Sequence, residues 1–470
     1  MATEAGRAAT AADTGSALES SNWFGDLVTH PQAIVEARSI EDVVAAVRDP
    51  ERFPSPVRAR GSAHSTTLCG EADGGTIVDT TAMNRIVSFG EDTVTVEAGA
   101  LLIDVAKELE RRNLQFYVNM EVGNATMGSI ACCATKDASM PGEYGQVNSY
   151  CVGMKVVTAN GDVVEISQND PDLLQAARSS YGLLGILCEV TFKIRPLQAM
   201  AVEHSVSKLS EFADRLPEHV ARGDSVMMYM FPYIDRVAVE FRRYTGEASK
   251  STERVNHRLW RMRNFFWKSV APGTGYVANK FLPGRKLGYR LVNALNRTNQ
   301  LMVTRMKAAH TVPTDQMIRY GPAGRRRETF SIWSIPEERY AEALREYMDF
   351  VRDYYRRTGY RPNMGHVGYR VAEDQSSLFS YSYDSDVLTI DPVSTGTPGW
   401  REFLLAYNQF CSEHDGQPLL NQTWGLTPEQ ARRAFGPRLG RFDEIRRRHD
   451  PEDRFLNRFF GELLGASSTS

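Results

Sequence analysis

Arg60-Gly61-Ser62-Ala63-His64-Ser65 sets a histidine inside a run of small residues, just before the strand-like Gly75-Thr76-Ile77-Val78-Asp79. Small side chains let successive backbone N–H groups converge on a phosphate, and a histidine held in the same loop touches whatever that phosphate carries. A second small-residue region, Gly123-Asn124-Ala125-Thr126-Met127-Gly128-Ser129-Ile130-Ala131, follows, and Gly142-Glu143-Tyr144-Gly145 lies beyond it. Taken singly, each is equally a turn, because turns collect Gly, Ser and Asn. Neither a Cys-x-x-Cys nor a His-Glu-x-x-His motif occurs, so zinc chemistry has no anchor.

Regular elements must hold these loops. Ser39 caps an amphipathic helix over Ile40–Val47, and Thr93–Gly99 alternates as a strand before the helical spacing of Leu101–Leu109. Val152–Thr158 and Val163–Ile166 flank Ala159-Asn160-Gly161-Asp162, a strong hairpin signal. A helix starting near Asp170-Pro171 leads through Tyr181-Gly182-Leu183-Leu184-Gly185-Ile186 into the strand Cys188–Ile194, which Pro196 stops. This reads as an α+β unit closing near residue 197. Beyond it come a strand at Val226–Phe231, a helix from Pro336 to Gly359, and a strand pair, His366–Val371 with Ser377–Tyr381. Helices follow around Trp400–Cys411 and Pro437–Arg448.

The 470 residues exceed one ordinary core, and 42% hydrophobic with 24% charged residues is a soluble globular composition. No apolar run reaches membrane-spanning length, and no basic-then-apolar leader opens the chain. Residues 1–21, rich in Ala, Thr, Ser and Gly, read as a disordered tail. Six cysteines, two of them adjacent (Cys132 and Cys133), suit a reducing compartment, so the expected location is cytoplasmic. The net charge of −3 hides an asymmetry: residues 257–327 carry fifteen Lys and Arg against the single acid Asp315. With Trp260, Phe265, Phe266, Trp267 and Tyr276 interleaved, this segment has three readings: contact with an anionic membrane or acidic ligand, nucleic-acid binding, or a solvated or homodimer-facing cap helix. Nothing else in the sequence supports nucleic acid.

In this order the features resemble the vanillyl-alcohol-oxidase / p-cresol-methylhydroxylase (PCMH)-type FAD-linked oxidoreductases, nearest the aldonolactone and alditol oxidase branch. The matching stretches are the Gly61–Ser65 loop, Ile77-Val78-Asp79-Thr80 with Met83-Asn84, Val96–Gly99, Gly128–Cys132, Val157–Gly161, Leu184–Leu187, and Asp450-Pro451 with Phe455 and Asn457. The resemblance implies an α+β fold: a two-part PCMH-type FAD-binding domain with an α/β substrate (cap) domain inserted before a C-terminal return segment. Expected boundaries are 22–197 for the FAD-binding domain, 198–415 for the cap and 416–470 for the returning segment. It implies FAD held by Arg60, Gly61, Ser62, Ala63, His64, Ser65, Thr126, Gly128, Ser129, Ala131, Cys132, Gly145, Gly185, Ile186 and Asn457. In relatives whose loop ends in His-Ser the histidine is bonded to the flavin 8α carbon, which matches His64. Two positions depart from the pattern. Ala63 stands where the family has Gly, and Thr135-Lys136-Asp137 where it has His-Gly. Cys132 and Cys133 read as small packing residues beside the flavin.

The resemblance further implies transfer of a hydride from a substrate C–H next to oxygen or nitrogen. Sugar-oxidising relatives use an Arg on a cap strand and a Lys in a His-Trp-x-Lys stretch. Arg370 matches the Arg, but Gly368 stands in place of a Glu, and Leu419, Leu420 and Gln422 replace His, Trp and Lys. Gln422 or Asn421 then orients a substrate oxygen through an uncharged donor. His366, on the same strand face as Gly368, is the candidate replacement base, and Arg370 is alternatively a partner for Glu373 or Asp374. Two other functions stay open: a flavoprotein with a structural or non-redox FAD, and a membrane-surface partner protein.

Overall fold

A computed structural model describes residues 7–10, 17–247, 285–303, 308–321 and 328–465, together with isolated positions between 248 and 284. Strand β1 (Arg7–Thr10) pairs antiparallel with β2 (Ala33–Glu36), so the expected disordered tail is structured here in part. Backbone pairing to an open sheet edge needs no apolar side chains, and composition therefore missed it. After β2, α1 (Ile40–Arg48) starts on a reciprocal Ser39–Asp42 cap and buries Val43, Ala46 and Val47. Strands β3 (Val57–Arg60) and β4 (Thr76–Asp79) are parallel and complete a sheet of order β1-β2-β4-β3.

The second sheet is antiparallel. It uses β5 (Ile86–Phe89), β6 (Thr93–Glu97), β7 (Leu114–Phe116), β8 (Cys151–Val157), β9 (Val163–Ser167) and β10 (Ile186–Pro196) in the order β9-β8-β10-β6-β5, with β7 on the far end of β10. The β8–β9 hairpin turns at Gly161, whose φ of +81° suits glycine. An eight-stranded sheet occupies the span expected to form the cap and takes its last strand from beyond residue 415: β11 (Gln198–Ser207), β12 (Ser225–Phe231), β13 (Arg236–Glu247), β14 (Ala308–Thr311), β15 (Trp333–Pro336), β16 (His366–Val371), β17 (Val387–Ile390) and β18 (Gln417–Pro418), ordered β14-β11-β13-β12-β16-β17-β15-β18. Helix α2 (Glu337–Thr358) packs on this sheet through Tyr340, Leu344, Tyr347 and Val351, and ends at Gly359 with φ +70°.

β16 takes β17 as its partner, and the expected strand Ser377–Tyr381 is not one. Ser380 and the neighbouring Ser382 serve as polar anchors instead: Gln146 Nε2 donates to Ser380 Oγ at 2.7 Å and Ser382 Oγ at 3.0 Å. The basic segment 257–327 lies largely outside the described residues; within it a helix over Arg285–Val303 is described, and Arg361 donates to its Asn293 Oδ1 at 2.8 Å. No helix among the described residues is long and apolar enough to cross a membrane.

The C-terminal segment returns to the first sheet. Arg454 donates to the carbonyls of Ala46 and Val47, Val57 N donates to Arg454 O, and Phe455 is fully buried in the same core. Two ion pairs fasten the Thr135-Lys136-Asp137 stretch, Lys136–Asp391 at 2.5 Å and Asp137–Arg242 at 2.8 Å. The stretch is thereby tied electrostatically to the eight-stranded sheet and the residue that follows its strand β17.

Candidate functional site

Gly61 sits so close to the second loop that a Cβ would stand 2.1 Å from Thr126 Oγ1. Gly128 is equally tight, its Cβ falling 2.8 Å from that of Ala98, and Gly185 holds φ +138° against Val156 and Val157. The absence of side chains at these points brings three backbone segments together around one cavity of about 260 Å³. Arg60 to Ser65, Thr126, Gly128, Ser129, Cys132 and Gly185 line it. Hydrogen bonds fix the loops: Ser62 Oγ donates to Asn124 O at 2.6 Å, and Thr126 and Ser129 hydroxyls bond at 2.8 Å. Asn124 then exchanges side-chain bonds with the backbone of Tyr320, which couples the loop to the span expected to form the cap.

His64 packs in a cluster with two aromatics that also meet each other, Trp23 and Tyr320 at 5.5 Å. Its ring lies 5.1 Å from Trp23 at 30° and 6.3 Å from Tyr320, and Trp23 Nε1 donates to Gly321 O. Burial among these rings lowers its pKa to about 4, so at neutral pH the imidazole is uncharged and keeps a nucleophilic lone pair. Ala63 adopts φ +53°, the left-handed conformation that glycine takes without strain. The loop thus holds an alanine in a backbone conformation that favours glycine.

Asn421 and Gln422 also line the cavity. Gln422 Oε1 accepts from Thr66 Oγ1 at 3.1 Å, Asn421 O accepts from Thr66 N, and Asn421 Oδ1 is buried without a partner. The other two expected catalytic residues lie elsewhere. Arg370 forks onto Glu337 at 2.5 Å and Asp386 at 2.6 Å, neither of them the expected Glu373 or Asp374. His366 is fully buried, with its ring edge-on to Tyr347 at 5.8 Å and its pKa lowered to about 3 by burial. Neither residue lines the cavity.

Some expected cofactor residues have supporting places. Ala131 and Ile186 are core, Gly145 packs on Asp137, Ser139 and Val371, and Asn457 caps the final helix while donating to the carbonyls of Leu68, Cys69 and Glu71. Sequence reasoning missed Trp23, Arg58, Glu71, Tyr320 and Phe330 in the wall. The aromatic pair Trp23-Phe24 was the one local signal available.

The donor set fits FAD. Backbone from two small-residue loops suits a diphosphate, a buried amide oxygen lacks a partner, and a neutral histidine stands beside both. When bound, FAD supplies the two-electron acceptor that side chains lack. The two loops would then hold the cofactor, with Trp23, Tyr320 and Phe330 along the wall and Asn421 beside it, while the amide of Gln422 is engaged by Thr66 Oγ1 and the carbonyl of His64.

Comparison with known proteins agrees. Residues 31–167 match the FAD binding domain and residues 190–463 match the D-arabinono-1,4-lactone oxidase model. L-gulono-1,4-lactone dehydrogenase of Mycobacterium tuberculosis is 27% identical over 447 residues, 95% of this chain and 99% of that one. L-gulonolactone oxidase of Mus musculus is 23% identical over 452 residues, 94% and 97% of the two chains. A crystal structure of cholesterol oxidase from B. sterolicum superposes with a TM-score of 0.71 over 95% of this chain and 96% of that one at 17% identity, which shows a common fold. The chain is an FAD-dependent oxidoreductase of the aldonolactone oxidase/dehydrogenase type and belongs to the D-arabinono-1,4-lactone oxidase family.

Proposed function

We propose that the enzyme carries its FAD covalently through His64 and oxidises a carbon bearing a hydroxyl group, on an uncharged substrate related to the hydroxy-lactones of its relatives. The observation that supports the covalent link is the neutral His64, packed on Trp23, in the wall shared by both small-residue loops. An uncharged imidazole has the electron pair that a C–N bond to the flavin requires; the flavin methyl group would give up a proton, and the two electrons released would pass to an external oxidant such as dioxygen.

For the substrate, neutral contacts support the reading. Asn421 and Gln422 offer amide donors where sugar-oxidising relatives place Lys, and Arg370 is committed to two carboxylates. Amides orient a hydroxyl oxygen by hydrogen bonds without stabilising a full negative charge, so the enzyme should be slower on substrates that need strong alkoxide stabilisation.

Acid precipitation tests the first claim. Yellow colour should stay with the pellet of the parent protein and pass to the supernatant after His64→Ala; release from the parent sinks the covalent link. Anaerobic loss of flavin colour with L-gulono-1,4-lactone, D-arabinono-1,4-lactone and apolar secondary alcohols tests the second. Failure of all hydroxylated compounds in the panel would refute hydroxyl oxidation.

A further inference from the structure

Arg58 projects from β3, two residues before the Arg60–Ser65 loop begins, and it is only 3% exposed. It lines the cavity. Its guanidinium donates to the carbonyls of Phe455 and Cys69 at 2.8 Å and of Tyr181 at 2.5 Å, while Nε has no partner. No carboxylate pairs with it among the described residues: Asp450, whose field reaches it, is already engaged by the N–H groups of Arg454 and Phe455. Carbonyl dipoles satisfy hydrogen bonds but leave a unit positive charge uncompensated, which is costly in a desolvated site. Burial accordingly depresses its pKa, though an arginine stays charged at any working pH.

A cavity wall holding such a cation is complementary to an anion that enters later. The wall also holds Arg60, Glu71 and Glu328, but no ion pair joins either carboxylate to Arg58 among the described residues, and burial with Asp73 raises the pKa of Glu71 to about 7, which leaves it only partly ionised at neutrality. We propose that Arg58 is a positioning residue whose charge is balanced by the cofactor's diphosphate, so that it selects phosphorylated flavins over riboflavin. This rests on the FAD reading of the cavity. It adds a buried side-chain charge, beside the less buried Arg60, to a cradle built mainly of backbone N–H groups.

The competing explanation is a purely structural staple joining residues 58, 69, 181 and 455. A flavin series separates the two. In His64→Ala protein, where any flavin is free to exchange, dissociation constants for FAD, FMN and riboflavin are measured by fluorescence quenching. Arg58→Gln keeps an amide donor for the carbonyls and removes the charge. It should weaken FAD and FMN at least tenfold and leave riboflavin within about twofold; Arg58→Lys, which keeps the charge, should restore most of the FAD preference.

Cys69→Asp gives the guanidinium a counter-ion without touching its three carbonyl bonds, and covers the case where Arg58→Gln does not fold. It too should lower FAD and FMN affinity selectively. Equal loss for all three flavins, or no loss, in whichever of these variants folds overturns the proposal. Failure of the parent to bind any flavin would fall on the cofactor reading itself and not on Arg58.

Discussion

His366 offers the sharpest test, because its sequence position suggested a base and its surroundings make it a core residue. It is fully exposed to water when the chain unfolds and fully buried, neutral and edge-on to Tyr347 in the fold. Its pKa falls from 6.5 to about 3 on folding, chiefly by desolvation. A depressed histidine binds fewer protons folded than unfolded, so acid favours the unfolded chain between these two values.

Protonation of an ordinary histidine lowers the unfolded state by about 0.2 kcal/mol at pH 7 and by about 2 kcal/mol at pH 5, while the folded histidine takes up almost no proton at either. The parent should therefore lose about 2 kcal/mol more than His366→Leu between pH 7 and pH 5. The figure is insensitive to the folded pKa as long as that stays below about 4. Urea unfolding followed by tryptophan fluorescence at the two pH values, for parent and variant, gives the difference, and contributions from His64 and other groups cancel. Flavin reduction should persist in the variant. Parallel acid sensitivity in the two proteins would refute the burial argument, and a folded variant unable to reduce its flavin would return His366 to the chemistry.

Other expectations follow from the loops and the tie. Gly61→Ala puts a methyl group into Thr126 and should cost about 1–3 kcal/mol, read as loss of flavin retention before loss of fold. Ala63→Gly relieves a φ of +53°, a gain of about 1–2 kcal/mol partly offset by about 0.5–1 kcal/mol of backbone entropy, so thermal unfolding should shift slightly upward with flavin content unchanged; a clear fall would show that Ala63 is unstrained. Lys136→Met leaves Asp391 buried and alone and should destabilise by about 3–5 kcal/mol, whereas adding Asp391→Leu should recover much of that. If the double variant is no more stable than the single one, the pair is not the tie described.

The parts of this molecule that were legible in sequence are those where one residue type is required locally. Gly161 marks its hairpin because φ must be positive there, and α2 shows its apolar stripe and glycine stop. The two loops around the cavity could be read because only small residues allow such close backbone approach. Alternation placed His366 and Gly368 on one face of β16 but could not say that this face meets Tyr347 and not the cavity. Arg370 found Glu337 and Asp386 through sheet pairing, which no spacing along the chain encodes. Ser377–Tyr381 has strand-like residues, yet its neighbours are claimed by Gln146, a tertiary demand that overrode local preference. Arg58 carried no signal at all, since a lone arginine in a strand looks like any exposed charge.

The distance in sequence between Arg58 and Phe455 also has a consequence for how the protein is made. The third carbonyl around that guanidinium arrives 397 residues after the arginine itself, and Asn457 closes over Leu68, Cys69 and Glu71 later still. A ribosome delivers the chain from its first residue onward, so the N-terminal sheet must wait for most of the polypeptide before its cavity wall is complete. Flavin uptake then belongs to the finished chain and not to the nascent one. Nascent chains stalled before residue 450 should remain colourless even with FAD in excess, while chains released beyond Leu464 should load it.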